Sequence, residues 1–106
     1  MAVRLDKPWR DRHDLVGVHG NLGVFQLADV DAQIIFIGFA GGNSRFGLKG
    51  EIRDALAART DAAFYRLEVN TAYQSRYREL LMAFIADHGA WPRYNEAFPI
   101  GRLSPN

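Results

Sequence analysis

Two β-favouring runs separated by one short polar turn lie between residues 24 and 39, and no other feature of the chain limits its fold as strongly. Val24-Phe25-Gln26-Leu27 is brief and rich in residues that suit a pleated surface. Asp29-Val30-Asp31-Ala32 supplies the turn, and Gln33-Ile34-Ile35-Phe36-Ile37-Gly38-Phe39 is a nearly continuous apolar strand. Strands this close in sequence pair as an antiparallel hairpin, because a parallel crossover needs a dozen or more residues. The unbroken apolarity of the second run predicts cover on both faces, and therefore a central place in the sheet.

Beyond the hairpin the period changes. Residues 40–47 form a glycine-rich loop, after which Leu48, Ile52, Ala55 and Leu56 fall on one helical stripe that ends near Thr60-Asp61. Phe64, Arg66 and Glu68 then alternate with Tyr65, Leu67 and Val69, the pattern of a half-buried third strand. Thr71-Ala72-Tyr73-Gln74 has the form of a capping box, with Thr71 as the cap and Gln74 reaching back. Tyr77, Leu80, Leu81, Phe84, Ile85 and His88 follow at helical spacing, and Gly89 suits the C-terminal stop. The order β-β-α-β-α predicts a single small α+β domain: a three-stranded sheet based on the antiparallel hairpin, with flanking helices.

Residues 1–14 read as a charged arm, in which Arg4, Lys7, Arg10 and Arg12 alternate with Asp6, Asp11 and Asp14. Only Leu5 and Trp9 offer apolar anchors, so the arm is expected to be loosely docked. The domain is expected over residues 15–98, with a short turn-rich tail over 99–106. A length of 106 residues suits one domain with one core, and seven Phe, four Tyr and two Trp argue against disorder. The absence of cysteine excludes disulfides and thiolate metal sites. No apolar run approaches the length that spans a bilayer, and the first residues lack the apolar core of a secretory signal, so a cytoplasmic protein without a membrane partner is expected. The net charge of +1 provides no general excess of cations, so any contact with nucleic acid needs a local patch.

Gly23-Val24-Phe25 lies on the first strand and Phe36-Ile37-Gly38 on the second, eleven positions from Phe to Phe. A helix and a third strand follow, then a helix bearing Glu79, then Asn95 at the end of Gly89-Ala90-Trp91-Pro92-Arg93-Tyr94-Asn95. This arrangement resembles the GIY-YIG nuclease family over roughly residues 17–95. The resemblance implies metal-dependent phosphodiester hydrolysis, with Mg2+ or Mn2+ held at Glu79, an Arg on the phosphate, Asn95 beside the scissile group, and DNA or RNA as partner. The family carries Tyr at both aromatic positions, where this chain has Phe25 and Phe36. A phenyl ring keeps the shape but has no donor, acceptor or titratable proton, and loss of a general base costs about 10²–10⁴ in rate. The expectation is a GIY-YIG-like nucleic-acid-interacting protein with weak or absent endonuclease activity. The alternative is a non-enzymatic protein-interaction module on a degenerate nuclease scaffold, with a protein partner in the vacated groove.

The phosphate-contacting Arg has two candidates. Arg45 falls nine positions after Phe36 but within the glycine-rich loop, and Arg53 lies one turn into the helix. Alignment on the apolar residues instead brings Glu51 to that position. Glu79 lies opposite the apolar stripe of its helix and should face solvent. Phe25 and Phe36 read as core residues first and as a stacking platform for bases second. His19, four residues before Gly23, is a candidate replacement base, since histidine titrates near neutrality. His88 closes the stripe at the helix C-terminus and His13 belongs to the arm, and three scattered histidines show no zinc-ligand spacing. Gly41-Gly42-Asn43-Ser44 lacks the Lys-Ser/Thr ending of a nucleotide loop, which argues against ATP or NAD. Arg45, Lys49, Arg53 and Arg59 cluster around this loop and helix, and are the first place to expect a phosphate-backbone contact. Their plainer reading is a solvated helix face.

Overall fold

The computed structural model describes residues 4–95. The expected tail over 99–106, and residues 96–98 assigned to the domain, lie outside the described residues. The elements are β1 (Arg10–Asp11), β2 (Gly23–Ala28), β3 (Ile34–Ala40), α1 (Gly47–Ala58), β4 (Phe64–Val69) and α2 (Tyr73–His88). Four antiparallel strands form one sheet in the order β1-β4-β2-β3. The predicted hairpin, third strand and two helices are all present in an α+β domain, and the sheet has one strand more than the sequence pattern indicated.

The extra strand corrects the reading of residues 1–14 as a loose arm. Arg10 pairs with Tyr65 and Asp11 with Phe64 along the outer edge of β4. Leu5 is 1% exposed, in a core cluster with Val24, Ile37, Leu80 and Leu81. Arg12 donates to the Leu56 carbonyl in the last turn of α1 and to the Ala62 carbonyl beyond it. Arg66 lies 4.0 Å from the Trp9 ring centroid and donates to the Lys7 carbonyl. The few apolar residues of this segment are thus spent on the core, and its arginines tie the backbone down.

β2, not β3, is the central strand. All six residues of β2 are buried between β4 and β3, whereas β3 closes the sheet. The apolarity of β3 has a different cause from centrality. An irregularity at Leu27/Ala28 turns Ile35 and Phe36 both toward the cluster under α1, while Ile34 and Ile37 pack under α2. The outer edge of β3 is covered by the segment after α2. Tyr94 N–H donates to the Ile35 carbonyl, and Asn95 bonds both backbone groups of Ile37, Oδ1 accepting at 2.8 Å and Nδ2 donating at 2.9 Å. An edge covered in this way is closed to further strands.

Leu48, Ile52, Ala55 and Leu56 are all buried under α1, as their spacing predicted. On α2 the fully buried positions are Leu80 and Leu81, flanked by half-buried Tyr77, Phe84 and Ile85. The capping box does not form. Ala72 is the N-cap of α2, and Asn70 Oδ1 instead accepts the Ala72 N–H at 2.8 Å. Gly89 does stop the helix, at φ 72°, with its N–H on the Ile85 carbonyl.

Candidate functional site

Phe25 and Phe36 meet on adjacent strands, with ring centroids 5.9 Å apart, directly over Gly38. A Cβ at Gly38 would lie 2.5 Å from the Phe25 ring and 2.9 Å from the Phe36 ring, so glycine is what lets both rings, tilted 51° to each other, close over this position. Phe25 is 1% exposed, which makes it a core residue and leaves no face for a base to stack on. Phe36 is half-buried and lines a cleft of about 520 Å³ that runs beside β3, between α1 and Tyr77 of α2.

The wall of this cleft answers the question of which arginine reaches it. Neither Arg45 nor Arg53 lines it; Glu51, Asp54 and Arg59 do. Carboxylates, and not Arg45 or Arg53, therefore share the α1 wall of the cleft with Arg59. Arg59, just past the end of α1, lays its guanidinium 3.8 Å from the Phe36 centroid and 5.4 Å from that of Tyr94. Its Nη1 donates to the Ala55 carbonyl at 3.2 Å, while Nε is shielded from solvent without a hydrogen-bond partner among the described residues. Burial pulls the Arg59 pKa below its ordinary value, with Tyr94 opposing.

Asn95 does not reach the cleft as a free amide, because both of its side-chain atoms are committed to β3. Glu79 lies on the exposed face of α2, lining a separate shallow hollow with Ser75, Arg78 and Met82. Its carboxylate pairs with Arg76 Nη1 at 2.5 Å. Arg76, with a side chain only 12% exposed, also holds Glu68 at 3.0 Å and donates to the Arg4 carbonyl. Glu79 thus completes an ion cluster that joins α2, β4 and the N-terminal segment. It is not beside Phe25 and Phe36, and no group of three or more His, Cys, Asp or Glu that could hold a metal occurs among the described residues. Glu79, the residue at which the resemblance places a metal, lines a different hollow from the cleft of Phe25 and Phe36. His19 is exposed in the loop before β2, where its carbonyl accepts the Lys49 N–H at 3.1 Å, and it does not line the cleft. The tyrosine that does, Tyr77, has its pKa raised by burial, with a hydrogen bond from Asn95 opposing. It stays protonated near neutrality.

The adjoining flank of α1 carries the other charge, and Arg53 meets Asp54 at 3.5 Å where the two flanks join. Phe46, at the N-cap, is 58% exposed. The Arg45 and Arg53 guanidiniums lie 5.9 and 5.7 Å from its ring centroid, within cation–π range. Lys49 is exposed on the same turn. Phe46, Lys49 and Arg53 stand at i, i+3 and i+7, so they share one face of the helix. Gly47, at φ 61°, makes this possible, because a Cβ there would lie 2.2 Å from the Gly20 carbonyl oxygen. The loop before β2 can therefore press against the helix start and push Phe46 outward. Phe46 was the residue that the sequence pattern did not single out. Of the four basic residues that it grouped, Arg59 belongs to the cleft.

The fold and these two faces define a small α+β domain with a mixed-charge cleft and a basic aromatic patch. The chain matches the family described as a domain of unknown function, DUF7508, over residues 3–87, and it belongs to that family. No curated protein and no solved structure matches it. No helix among the described residues is long and apolar enough to cross a membrane.

Proposed function

We propose that this protein is a nucleic-acid-interacting domain on a GIY-YIG-like scaffold, with phosphodiester hydrolysis weak or absent. The observation that carries the interaction is the exposed Phe46 ring between Arg45 and Arg53, with Lys49 beside it. An unpaired base stacked on an exposed aromatic ring contributes about 1–3 kcal/mol, whatever its identity. The flanking cations meet the phosphates of the same strand. Three such contacts concentrate charge locally in a chain whose net charge is only +1. Support for the scaffold comes from the hairpin, which carries Gly23-Val24-Phe25 beside Phe36-Ile37-Gly38 in antiparallel register. Support for weak or absent cleavage comes from the two missing hydroxyls, from Glu51 and Asp54 on the cleft wall, and from the distance of Glu79 from both rings in the fold.

The test is fluorescence anisotropy with labelled single-stranded, duplex and branched DNA and with RNA, across a salt series, followed by cleavage assays in Mg2+ and Mn2+. The expected outcome is salt-dependent binding that favours single strands, with no product. Cleavage that disappears in Glu79→Ala would overturn the non-catalytic part, and salt-independent or absent binding would overturn the whole. A second reading, a non-enzymatic protein-interaction module, is favoured by one observation: the cleft wall carries carboxylates suited to a basic group on a partner.

A further inference from the structure

We infer that the small pocket between β2, β4 and the C-terminal half of α2 binds a monocarboxylate of the size of acetate. Gln26 and Arg66 hold its oxygens, and apolar side chains enclose its methyl group. The site shares no residue with the basic patch or with the cleft beside β3, and it does not rest on the nucleic-acid reading.

The first observation is an unanswered amide. Gln26 and Asn95 are the buried polar residues among the described ones, and they are satisfied differently. Asn95 spends both of its side-chain groups on Ile37. Gln26, 3% exposed, uses only Oε1, which accepts from Arg66 Nε at 2.8 Å. Its Nε2 has no partner among the described residues. Arg59 Nε is the one side-chain atom there that is both shielded and unbonded, so Gln26 Nε2 keeps an opening, and Gln26 lines this pocket. A buried amide donor without a partner costs about 1–3 kcal/mol, which a ligand oxygen recovers.

Arg66 lies directly opposite Gln26 on β4, lines the same pocket and supplies the charge. Its guanidinium is fixed by Nε on Gln26, by Nη1 on the Lys7 carbonyl at 3.1 Å, and by the Trp9 ring 4.0 Å away. An arginine held in this way loses little further freedom when it takes up an anion. Nη2, on the same edge of the guanidinium as Nε, has no partner among the described residues, so a free donor stands beside the Gln26 amide. No carboxylate among the described residues forms an ion pair with Arg66. Burial pulls its pKa below the ordinary value, with the Asp6 charge opposing. The other cation and the carboxylate of the pocket, Arg4 and Asp87, already pair with each other. The charge left over calls for a single negative group.

Size and lining select the ligand. The pocket measures about 60 Å³, room for about four to six water-sized spheres, which matches acetate and leaves no room for a long chain. Ile34, Leu80 and Phe84 line the rest, so a methyl group meets apolar surface. Phosphate or sulfate would set an oxygen against these side chains without a donor to meet it.

The experiment is a titration of the whole chain with sodium acetate, followed by proton–nitrogen correlation spectra, against sodium chloride at matched ionic strength. Acetamide, hexanoate and phosphate serve as controls for charge, length and polarity. The expected result is saturable shifts of the Gln26 side-chain amide and Arg66 Nε resonances, with each control at least roughly tenfold weaker than acetate. Gln26→Glu keeps the shape and the bond to Arg66 but exchanges the donor for a like charge, and should abolish saturable binding. Ala83→Leu fills the pocket from α2 with both polar groups intact, should do the same, and keeps the test decisive if Gln26→Glu does not fold. No saturable shift, shifts that chloride reproduces, a control binding as tightly as acetate, or binding that survives either variant would overturn the proposal.

Discussion

One flank of α1 presents Arg45, Lys49 and Arg53 around an exposed phenyl ring, whereas the adjoining flank presents Glu51 and Asp54 to a cleft lined by Phe25 and Phe36, and Arg53 meets Asp54 at 3.5 Å on the boundary. The two surfaces share one helix and one set of core contacts, Leu48, Ile52, Ala55 and Leu56. The net charge of +1 averages over this segregation and hides it. Electrostatic recognition depends on where charge lies relative to apolar surface, because fields at a surface decay within about 10 Å at ordinary salt. A helix about 10 Å across can therefore show opposite signs to two different ligands.

The core beneath α1 supports both flanks of the helix. Ile52→Ala removes a fully buried side chain beneath both faces and should cost about 3 kcal/mol in denaturant unfolding. Both surfaces should still function in the fraction that remains folded. A loss of binding on one face alone would show that the faces do not share this support.

Reversing charge on the basic flank should separate the two. Lys49→Glu combined with Arg53→Glu should weaken single-strand binding by roughly a hundredfold, through lost phosphate contacts and new repulsion. Phe46→Ala should weaken the same binding by about tenfold while leaving its salt dependence intact, since stacking releases no counterions. Anisotropy titrations at several salt concentrations measure both effects.

The smallest effect is an acid limb common to both faces. Burial alone would raise the Glu68 pKa, but hydrogen bonds from Arg76 and Asn70 and the Arg76 charge hold it below its ordinary 4.5. The unfolded chain then binds that proton more readily than the folded one. The stabilisation is complete above about pH 4.5 and is lost as pH falls through the lower folded value. Arg76→Gln should flatten this limb in thermal unfolding measured from pH 3 to pH 6, with neither face of α1 singled out.

Much of the fold was legible because its signals are local. The turn at Asp29–Ala32, the α1 stripe and the αL stop at Gly89 each follow from neighbours in sequence. What escaped depends on partners far along the chain. Arg10–Asp11 is a strand only because β4 offers an edge, and β3 is apolar because Asn95 and two helices cover it. Thr71 does not cap α2, which starts from Ala72 with the Ala72 N–H on Asn70 Oδ1, a choice between adjacent polar side chains that composition does not decide. At the site, the meeting of Phe25 with Phe36 on the hairpin could be read from spacing. Phe46 could have been found from its i, i+3, i+7 relation to Lys49 and Arg53, but it lies just before the first turn, where a helical pattern is not yet sought. Glu79 and Asn95 were singled out by the resemblance, and in the fold they bond Arg76 and Ile37.

The central claim, that the basic flank of α1 holds a nucleic-acid strand while the cleft flank does not, is tested most directly by the salt dependence of single-strand affinity. With Arg45, Lys49 and Arg53 each neutralising one phosphate, log affinity against log salt should fall with a slope of about −2, shrinking by about 0.7 for each cation removed. A slope near zero, or one that Lys49→Glu and Arg53→Glu leave unchanged, would contradict the account.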